Sequence, residues 1–558
     1  MTTRSPVMNR RSLLLGTVFT AALASHGAMA QPKAGKKPNI LLLLADDLGF
    51  SDIGPYGSEI PTPNLDALAA KGLRYTQFYN TARCSTSRAS LLTGLYPHQA
   101  GIGALDNVVV EGSRGLTGKI DDRAVTLPEV LGPAGYYTGF AGKWHMGLNR
   151  GTPPWKRGFE RSLTIPGGIY YKDQNEGQGK GPKAFIDGRE VPLNSPEIGE
   201  DYWYVSDLLA QWSGKFIDEA KAANKPFFVY LPFTAPHFPV MAPEADVKRF
   251  KGKYLAGWEK LRQARFERQK KLGIIPVDTK LSDPLPEAYD WDKLPPEEQA
   301  RFDEIMAVYA AAVTRVDRAI GTLVEKLRAS GELDNTIILF LSDNGGNAES
   351  GPDGKSTGTK LGDAQSTVWV GLNWATLNNT PLPFFKHFTR EGGISSPLVI
   401  HWPRGIDAKV NGTLVNAPSH LIDVLPTLVE IGGATYPKQF NGHDILPYEG
   451  RSFVPSFAGK ALTRKNPIFF EHEGNRAVRD GDWKLVAGFE EPWQLYNIKA
   501  DRSETNNLAT AKPDQVARLS REYDLWAERA FVDPWPRKKV PGGVVKGKLA
   551  DSAGVGGI

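Results

Sequence analysis

Disulfide chemistry is closed to this chain. It holds one cysteine, Cys84, in 558 residues, so no intrachain bridge can form and stability must come from a packed core. A membrane span is missing as well. The N-terminal run SLLLGTVFTAALA is shorter than the ~20 residues that cross a bilayer, and no later apolar segment is long enough. That run follows Arg10 and Arg11 and precedes AMA, ending at Ala30. A charged start, a short apolar run and a small-residue cleavage site read as an export signal, and the paired arginines suggest the twin-arginine route. The alternative is a short membrane anchor. Export with cleavage near Ala30 places the mature chain in the periplasm or outside the cell. Charge of one sign is also scarce. The chain carries +5, but Arg4, Arg10 and Arg11 fall in the first 30 residues, leaving +2 from Gln31 onward. That is no nucleic-acid footprint, and any pull on an anion must come from a local cluster. Low-complexity tracts and repeats are absent, and 41% apolar with 23% charged residues suits a sizeable core and not disorder.

What is present is an alternation. PNILLLLADDLGF holds an unbroken apolar run, Ile40 to Leu44, followed by acids and Gly49. Such a run reads as a strand of a parallel sheet, buried on both faces. In TPNLDALAAKG, Thr62 can cap a helix, Pro63 suits its first position, Leu65, Leu68 and Ala69 share a face, and Gly72 can end it. Thr126 and Glu129 of TLPEVL have capping-box spacing. PFFVYLPF, NTIILFLSDNGG and SPLVIHWP supply further buried strands, with helical stretches such as DEIMAVYAAAVTRVDRAIGTLVEKL between them. The expected fold class is α/β, a sandwich whose large, mostly parallel central sheet is flanked by helices. Ligands in such sheets bind beyond the carboxyl ends of the strands.

Two stretches break the pattern. Residues 166–200 are Gly-rich and weakly periodic and read as a long loop. Residues 240–300 include WEKLRQARFERQKKL, a basic helix with few apolar positions, which is either a lid or substrate wall or a solvated insertion. From about residue 436 the texture changes, and NPIFFEHEGNRAVRDGDWKLVAG with PWQLYNI reads as short antiparallel strands turning at Asp480-Gly481. The expected organisation is an export signal over 1–30, a main domain over 31–435, a small C-terminal α+β domain with an antiparallel sheet over 436–535, and a loose tail over 536–558.

Candidate chemistry falls at strand ends. Asp46 and Asp47 follow the first strand, and Asp343 and Asn344 follow IILFLS. Adjacent carboxylates repel unless a cation or proton lies between them. Four oxygen donors with no sulfur or imidazole beside them fit a hard cation, calcium or magnesium; taken singly, either pair reads as a turn or cap. Lys143 and His145 lie in AGKWHMG, and on a strand they would point to one side, suiting anion binding with proton transfer. His237 follows FFVYL, and Lys386 precedes another strand. Cys84 lies just ahead of a helix expected to run through Ala89 to Leu92, with Arg88 one turn on. A helix start favours anions, so the thiol reads as a nucleophile of lowered pKa or as a small buried hydrophobe.

CSTSRASLLTG resembles the signature of the sulfatase family, Cys-x-Pro-Ser-Arg with a Thr-Gly ending, although Thr86 stands where the signature has proline. NILLLLADDLGFSDIGPYG, GYYTGFAGKWHMG, LSDNGG and KHFTREGG resemble further site segments of that family, in order, and WKLV and QLYNI its C-terminal domain. GSEIPTPNLDALA and RGFERS look most like its bacterial arylsulfatase branch, within the alkaline-phosphatase superfamily. The resemblance implies hydrolysis of sulfate monoesters. It implies that a maturation enzyme oxidises Cys84 to formylglycine, and that Asp46, Asp47, Asp343, Asn344 and residue 84 hold one calcium ion. It further implies that one hydroxyl of the hydrated aldehyde attacks sulfur, forming a covalent sulfate ester. His237 and Lys386 then assist the departing alcohol, His145 deprotonates the second hydroxyl to expel sulfate, and Arg88 and Lys143 hold hydroxyls and sulfate. Two alternatives stand beside this. One is a phosphate or phosphonate ester hydrolase on the same fold. The other is a binding protein for sulfated ligands, if Cys84 stays a thiol.

Overall fold

At the centre of the molecule lies β1, Asn39–Ala45, all seven of whose residues are buried. Leu41, Leu43 and Ala45 join one core, and Ile40, Leu42 and Leu44 join another on the opposite face. A strand covered on both faces needs no polar alternation, which is why it appears in the sequence as one apolar run. The structure, a computed structural model, describes residues 36–174 and 183–535. The export signal, the expected tail and part of the Gly-rich stretch lie outside the described residues.

Further strands of the main sheet are β2 (Leu73–Tyr79), β3 (Tyr137–Gly142), β4 (Arg161–Thr164), β5 (Lys183–Ile186), β6 (Arg189–Pro192), β7 (Phe227–Pro232) and β8 (Thr336–Ser342). The order across the sheet is β2, the strand Ser395–His401, then β8, β1, β7, β3, β4, β5 and β6. β1 runs parallel to β7 and β8, and β3 runs parallel to β7 and β4. Ser395–His401 is antiparallel to β2 and β8, and β5 is antiparallel to β4 and β6. Beyond β2 the short strands Leu414–Val415 and Ser419–His420 pair with it in parallel, so the sheet is mostly parallel, with antiparallel pairs at Ser395–His401 and along β4, β5 and β6. The helices Pro63–Ala70, Val205–Ala222 and Pro296–Ala329 cover one face, and Cys84–Thr93 and Val424–Ile431 cover the other. No helix among the described residues is long and apolar enough to cross a membrane.

Several local expectations need correction. Residues 166–200 are not a loop throughout, because the β5–β6 hairpin extends the sheet edge there; its inward positions, Ala184, Ile186 and Val191, are too few to stand out among glycines. The helix Trp258–Lys271 is neither lid nor solvated insertion. Its Arg265 is fully buried and pairs with Asp52 at 2.8 Å and Glu59 at 2.7 Å, while Trp258 and Phe266 enter the core. Thr62 stands at a helix start, but its hydroxyl accepts from Gly54 and donates to Asp66 and does not cap the helix. At Thr126, by contrast, the expected capping box with Glu129 is present, the Glu129 carboxylate accepting from the Thr126 N–H at 2.8 Å, and the Thr126 hydroxyl also donates to the Arg157 carbonyl.

Past Val424–Ile431, four short strands form an antiparallel sheet: Ile468–His472, Asn475–Asp480, Trp483–Ala487 and Gln494–Asn497. Phe469, Val478, Leu485 and Leu495 face the helix Pro513–Arg529 through Leu519, Tyr523 and Trp526. The opposite face, Ile468, Phe470, Ala477 and Val486, packs on Tyr79, Ala82 and Ile394. That packing brings the end of β2, and the segment leading to Cys84, against the C-terminal sheet.

Candidate active site

Register builds this site. Ala45 lies opposite Ser342 in the parallel β1–β8 pair, so the residues that follow, Asp46 and Asp47 on one strand and Asp343 and Asn344 on the next, leave the sheet side by side. Carboxylate oxygens of Asp46, Asp47 and Asp343 lie within 4.8 Å of one another, all buried. The Asp47 N–H donates to Asp343 Oδ1 at 3.2 Å, and Asn344 Nδ2 donates to Asp47 Oδ1 at 2.7 Å. Asp46 Oδ1 and Asn344 Oδ1 are buried with no hydrogen-bond partner. Orphaned buried oxygens are costly, and an all-oxygen donor set of this kind suits a hard dication.

Cys84 is the first residue of the helix Cys84–Thr93, one step further in than the sequence suggests, and is 1% exposed. Arg88, one turn on, is fully buried and donates to Asp343 Oδ2 at 2.7 Å and to the Lys143 carbonyl at 2.7 Å. Lys143 and His145 follow β3 and are not part of it. The same-side argument from strand periodicity therefore does not apply; His145 instead adopts a left-handed backbone, φ 57°. Lys143 Nζ meets Asp46 Oδ2 at 2.8 Å, and His145 lies close enough to Cys84 to favour its thiolate and faces Asp106 at 3.6 Å. His237 Nε2 stands 3.6 Å from Asp47 Oδ2 and 3.4 Å from Lys386 Nζ. Lys386 Nζ meets Asp47 Oδ1 at 2.9 Å. All ten residues singled out from the sequence thus meet in one cluster, eight of them buried and His145 and His237 half-buried.

Glycine makes the close approach possible. A Cβ on Gly345 would stand 1.9 Å from the Gly392 carbonyl oxygen, and the Gly345 N–H donates to the Gly393 carbonyl at 3.1 Å. Backbone lies on backbone where the DNGG and EGG segments cross, so Asp343 and Lys386 reach one site from separate loops.

The field at residue 84 is positive. Burial pushes the thiol up, but Lys143, Lys386 and His145 outweigh it and hold Cys84 well below the usual thiol range. Burial opposes ionisation of Asp46 too, yet Lys143, His237 and Arg88 hold it at about 2. Burial, with Asp46 beside it, pushes Asp343 well above the usual range against the pull of Arg88. Two acids forced apart in this way share a space where a dication would relieve both.

The sequence reading missed a layer behind these residues. Glu349 is buried, ion-pairs with Arg83 and lies 3.8 Å from Lys386. Asn347 Nδ2 donates to Asp47 Oδ2 at 2.8 Å. Both follow Asp343 within a few residues, but in the sequence they read only as loop polarity. Thr86 is buried, and its hydroxyl donates to the Arg83 carbonyl at 2.8 Å.

The family model described as Sulfatase matches residues 38–434. The chain belongs to the sulfatase family. A second model, N-sulphoglucosamine sulphohydrolase, C-terminal, matches residues 383–525 of this sulfatase. It is 35% identical over 521 residues to an uncharacterized sulfatase of Schizosaccharomyces pombe, covering 87% of this chain and 92% of that one. It is 34% identical over 488 residues to the arylsulfatase of Klebsiella aerogenes, covering 82% and 99% respectively. Among solved structures, Ps i-CgsB in complex with k-i-k-neocarrahexaose is similar at 28% identity and a TM-score of 0.65, covering 88% of this chain and 93% of that one. The sulfatase is accordingly a sulfuric ester hydrolase.

Proposed function

We propose that this sulfatase cleaves aryl or carbohydrate sulfate monoesters, with residue 84 matured to formylglycine and one calcium ion beside it. The observation that supports this most is the convergence of Arg88, Lys143 and Lys386 with three carboxylates around Cys84. Hydrated formylglycine supplies two hydroxyls on one carbon, one to attack sulfur and one to let sulfate leave without attack by water. Asp46, Asp47, Asp343 and Asn344 with residue 84 would hold the calcium, which supplies positive charge next to the sulfate.

The remaining work falls to the chain's own side chains. Arg88 and Lys143 hold the hydroxyls and the sulfate oxygens and neutralise charge that grows in the transition state. His237 and Lys386, side by side at 3.4 Å, serve the departing alcohol oxygen with a proton. His145, beside residue 84, takes the proton of the second hydroxyl, with Asp106 orienting its ring. The half-buried Phe238 ring stacks on Trp369 with centroids 3.8 Å apart and on His237 at 4.1 Å. A flat aromatic wall beside the proton donor suits a phenol or a sugar ring. The arginine pair and apolar run before Ala30 support export to the periplasm or beyond.

A panel of aryl, carbohydrate and phosphate esters tests the substrate class, with sulfates turned over orders of magnitude faster than phosphates. The tryptic peptide from Cys84 to Arg88 of active enzyme should react with a hydrazide, and Cys84→Ala should fold but be inactive. Full activity from protein whose residue 84 is a free thiol would overturn the proposal.

A further inference from the structure

Beside the active site lies a second cluster of metal-binding side chains with different chemistry. His387 follows Lys386, His472 ends the strand Ile468–His472, and Glu473 begins the turn after it. His387 Nδ1 stands 3.5 Å from one Glu473 oxygen, and His472 Nε2 stands 3.9 Å from the other. The two imidazole rings meet edge to face, with centroids 5.1 Å apart and planes at 82°. One donor atom from each of the three residues lies within 4.8 Å of the other two. Donors ~2.0 Å from a tetrahedral ion stand roughly 3.3 Å apart, so shifts of a fraction of an ångström to about 1.5 Å would close the set.

A second observation points to a ligand. His472 is 0% exposed, and neither of its ring nitrogens has a hydrogen-bond partner. A buried imidazole left wholly unsatisfied is expensive, and a metal ion removes that cost at one nitrogen. Burial holds both histidines below their usual range, and the neighbouring Arg83 acts the same way on each. Both rings are therefore neutral near pH 7, with lone pairs available. Arg83 and Lys386 oppose a cation here, but Glu349 ion-pairs with Arg83, Asp47 with Lys386, and Glu473 adds a negative donor. His387 and Glu473 are each 21% exposed, so an ion can enter from solvent.

We propose that His387, His472 and Glu473 form a site for a transition-metal dication of the zinc class, which clamps the C-terminal sheet to the loop that carries Lys386. Two imidazoles and one carboxylate select such an ion over calcium, whereas the all-oxygen cluster next door has the opposite preference. The clamp is structural. The His387 N–H donates to the Ala82 carbonyl, two residues before Cys84, so fixing His387 also fixes the approach to the nucleophile.

Cobalt(II) is the probe. It would be titrated into tag-free full chain carrying Cys84→Ala, which removes the thiol as a competing soft ligand, in excess calcium. The expected result is one equivalent bound with the intense visible absorption of a four-coordinate site. Binding should weaken at least tenfold in His472→Ala and in His387→Gln, the second being a part-exposed position that keeps the test valid if the first variant misfolds. Zinc should displace the cobalt and raise the melting temperature of the parent but not of either variant. Three outcomes would each overturn the proposal: no such absorption, absorption unchanged in both variants, or zinc binding with no change in melting temperature.

Discussion

At the scale of single residues, His237 separates a proton donor from a mere neighbour of Asp47. Its Nε2 lies between Asp47 and Lys386, and its Nδ1 meets the Phe238 carbonyl at 2.5 Å, which fixes the ring. A departing alkoxide of high basicity needs a proton in the transition state, whereas the anion of an acidic phenol does not. His237→Ala should therefore slow carbohydrate sulfates by ~10²–10⁴-fold, the usual worth of a positioned acid, and slow sulfates of acidic phenols much less. The measurement is kcat/KM across a series of leaving groups. Equal losses across the series would assign His237 to charge balance alone. Most residues of this cluster were legible in the sequence because they follow a buried strand or lie in the first turn of a helix, where side chains of an α/β sheet point into one crevice. Lys386 stood out as a cation ahead of a strand. Glu349 and Arg83 were not, because one reads as loop polarity and the other as a flank of Cys84. Only their contact, across 266 positions, gives either a role.

Elements meet at Glu391. It opens the short helix Glu391–Ile394 and is fully buried. Its oxygens accept from Lys484 on the strand Trp483–Ala487 at 2.9 Å, from Arg502 at 3.1 Å and from the Tyr79 hydroxyl at 3.1 Å. The C-terminal sheet is thereby tied to β2 and to the loop after Lys386 through one carboxylate. Glu391→Gln takes the carboxylate from Arg502 and leaves Lys484 only Glu504, at 2.8 Å, and a broken buried pair of this kind costs on the order of 3 kcal/mol. Denaturant unfolding would measure it, and a loss within the ~0.5 kcal/mol of a surface change would remove Glu391 from this role. The strands themselves were readable from their apolar runs, since burial on both faces leaves an unbroken signal. The β5–β6 hairpin and the buried face of Trp258–Lys271 were hidden for opposite reasons. The first is too short to show a period, and the second is held by arginines whose acidic partners, Asp52 and Glu59, lie some 200 residues away.

For the whole molecule, buried carboxylates set the response to acid. Glu391 and Glu349 are both held at about 2 against an ordinary 4.5. Burial alone would raise them, but Lys484 and Arg502 outweigh it at the first, and Arg83 and Lys386 at the second. A carboxyl whose native pKa is depressed binds fewer protons folded than unfolded, so its contribution is fully present above about pH 4.5 and disappears as the pH falls toward 2. Each such group is worth on the order of 3 kcal/mol, a large fraction of the ~5–15 kcal/mol that holds a typical fold together. Asp52 acts in the other direction. Burial raises it despite Arg265, so it costs stability at neutral pH and returns some on protonation. Asp343, Asp66, Asp207 and Asp317 are raised in the same direction as Asp52, while Asp46 is held at about 2 beside Glu391 and Glu349, and the loss in acid comes from these three strongly depressed groups. Burial also holds the imidazoles of His387, His472 and His420 below their ordinary 6.5, so the denaturant midpoint should begin to fall below about pH 6.5 and fall more steeply below about 4.5. Glu391→Gln, already destabilised at pH 7, should show a shallower fall over the same range because one of the titrating groups is gone. Parallel curves for parent and variant would show that acid sensitivity arises elsewhere in the molecule.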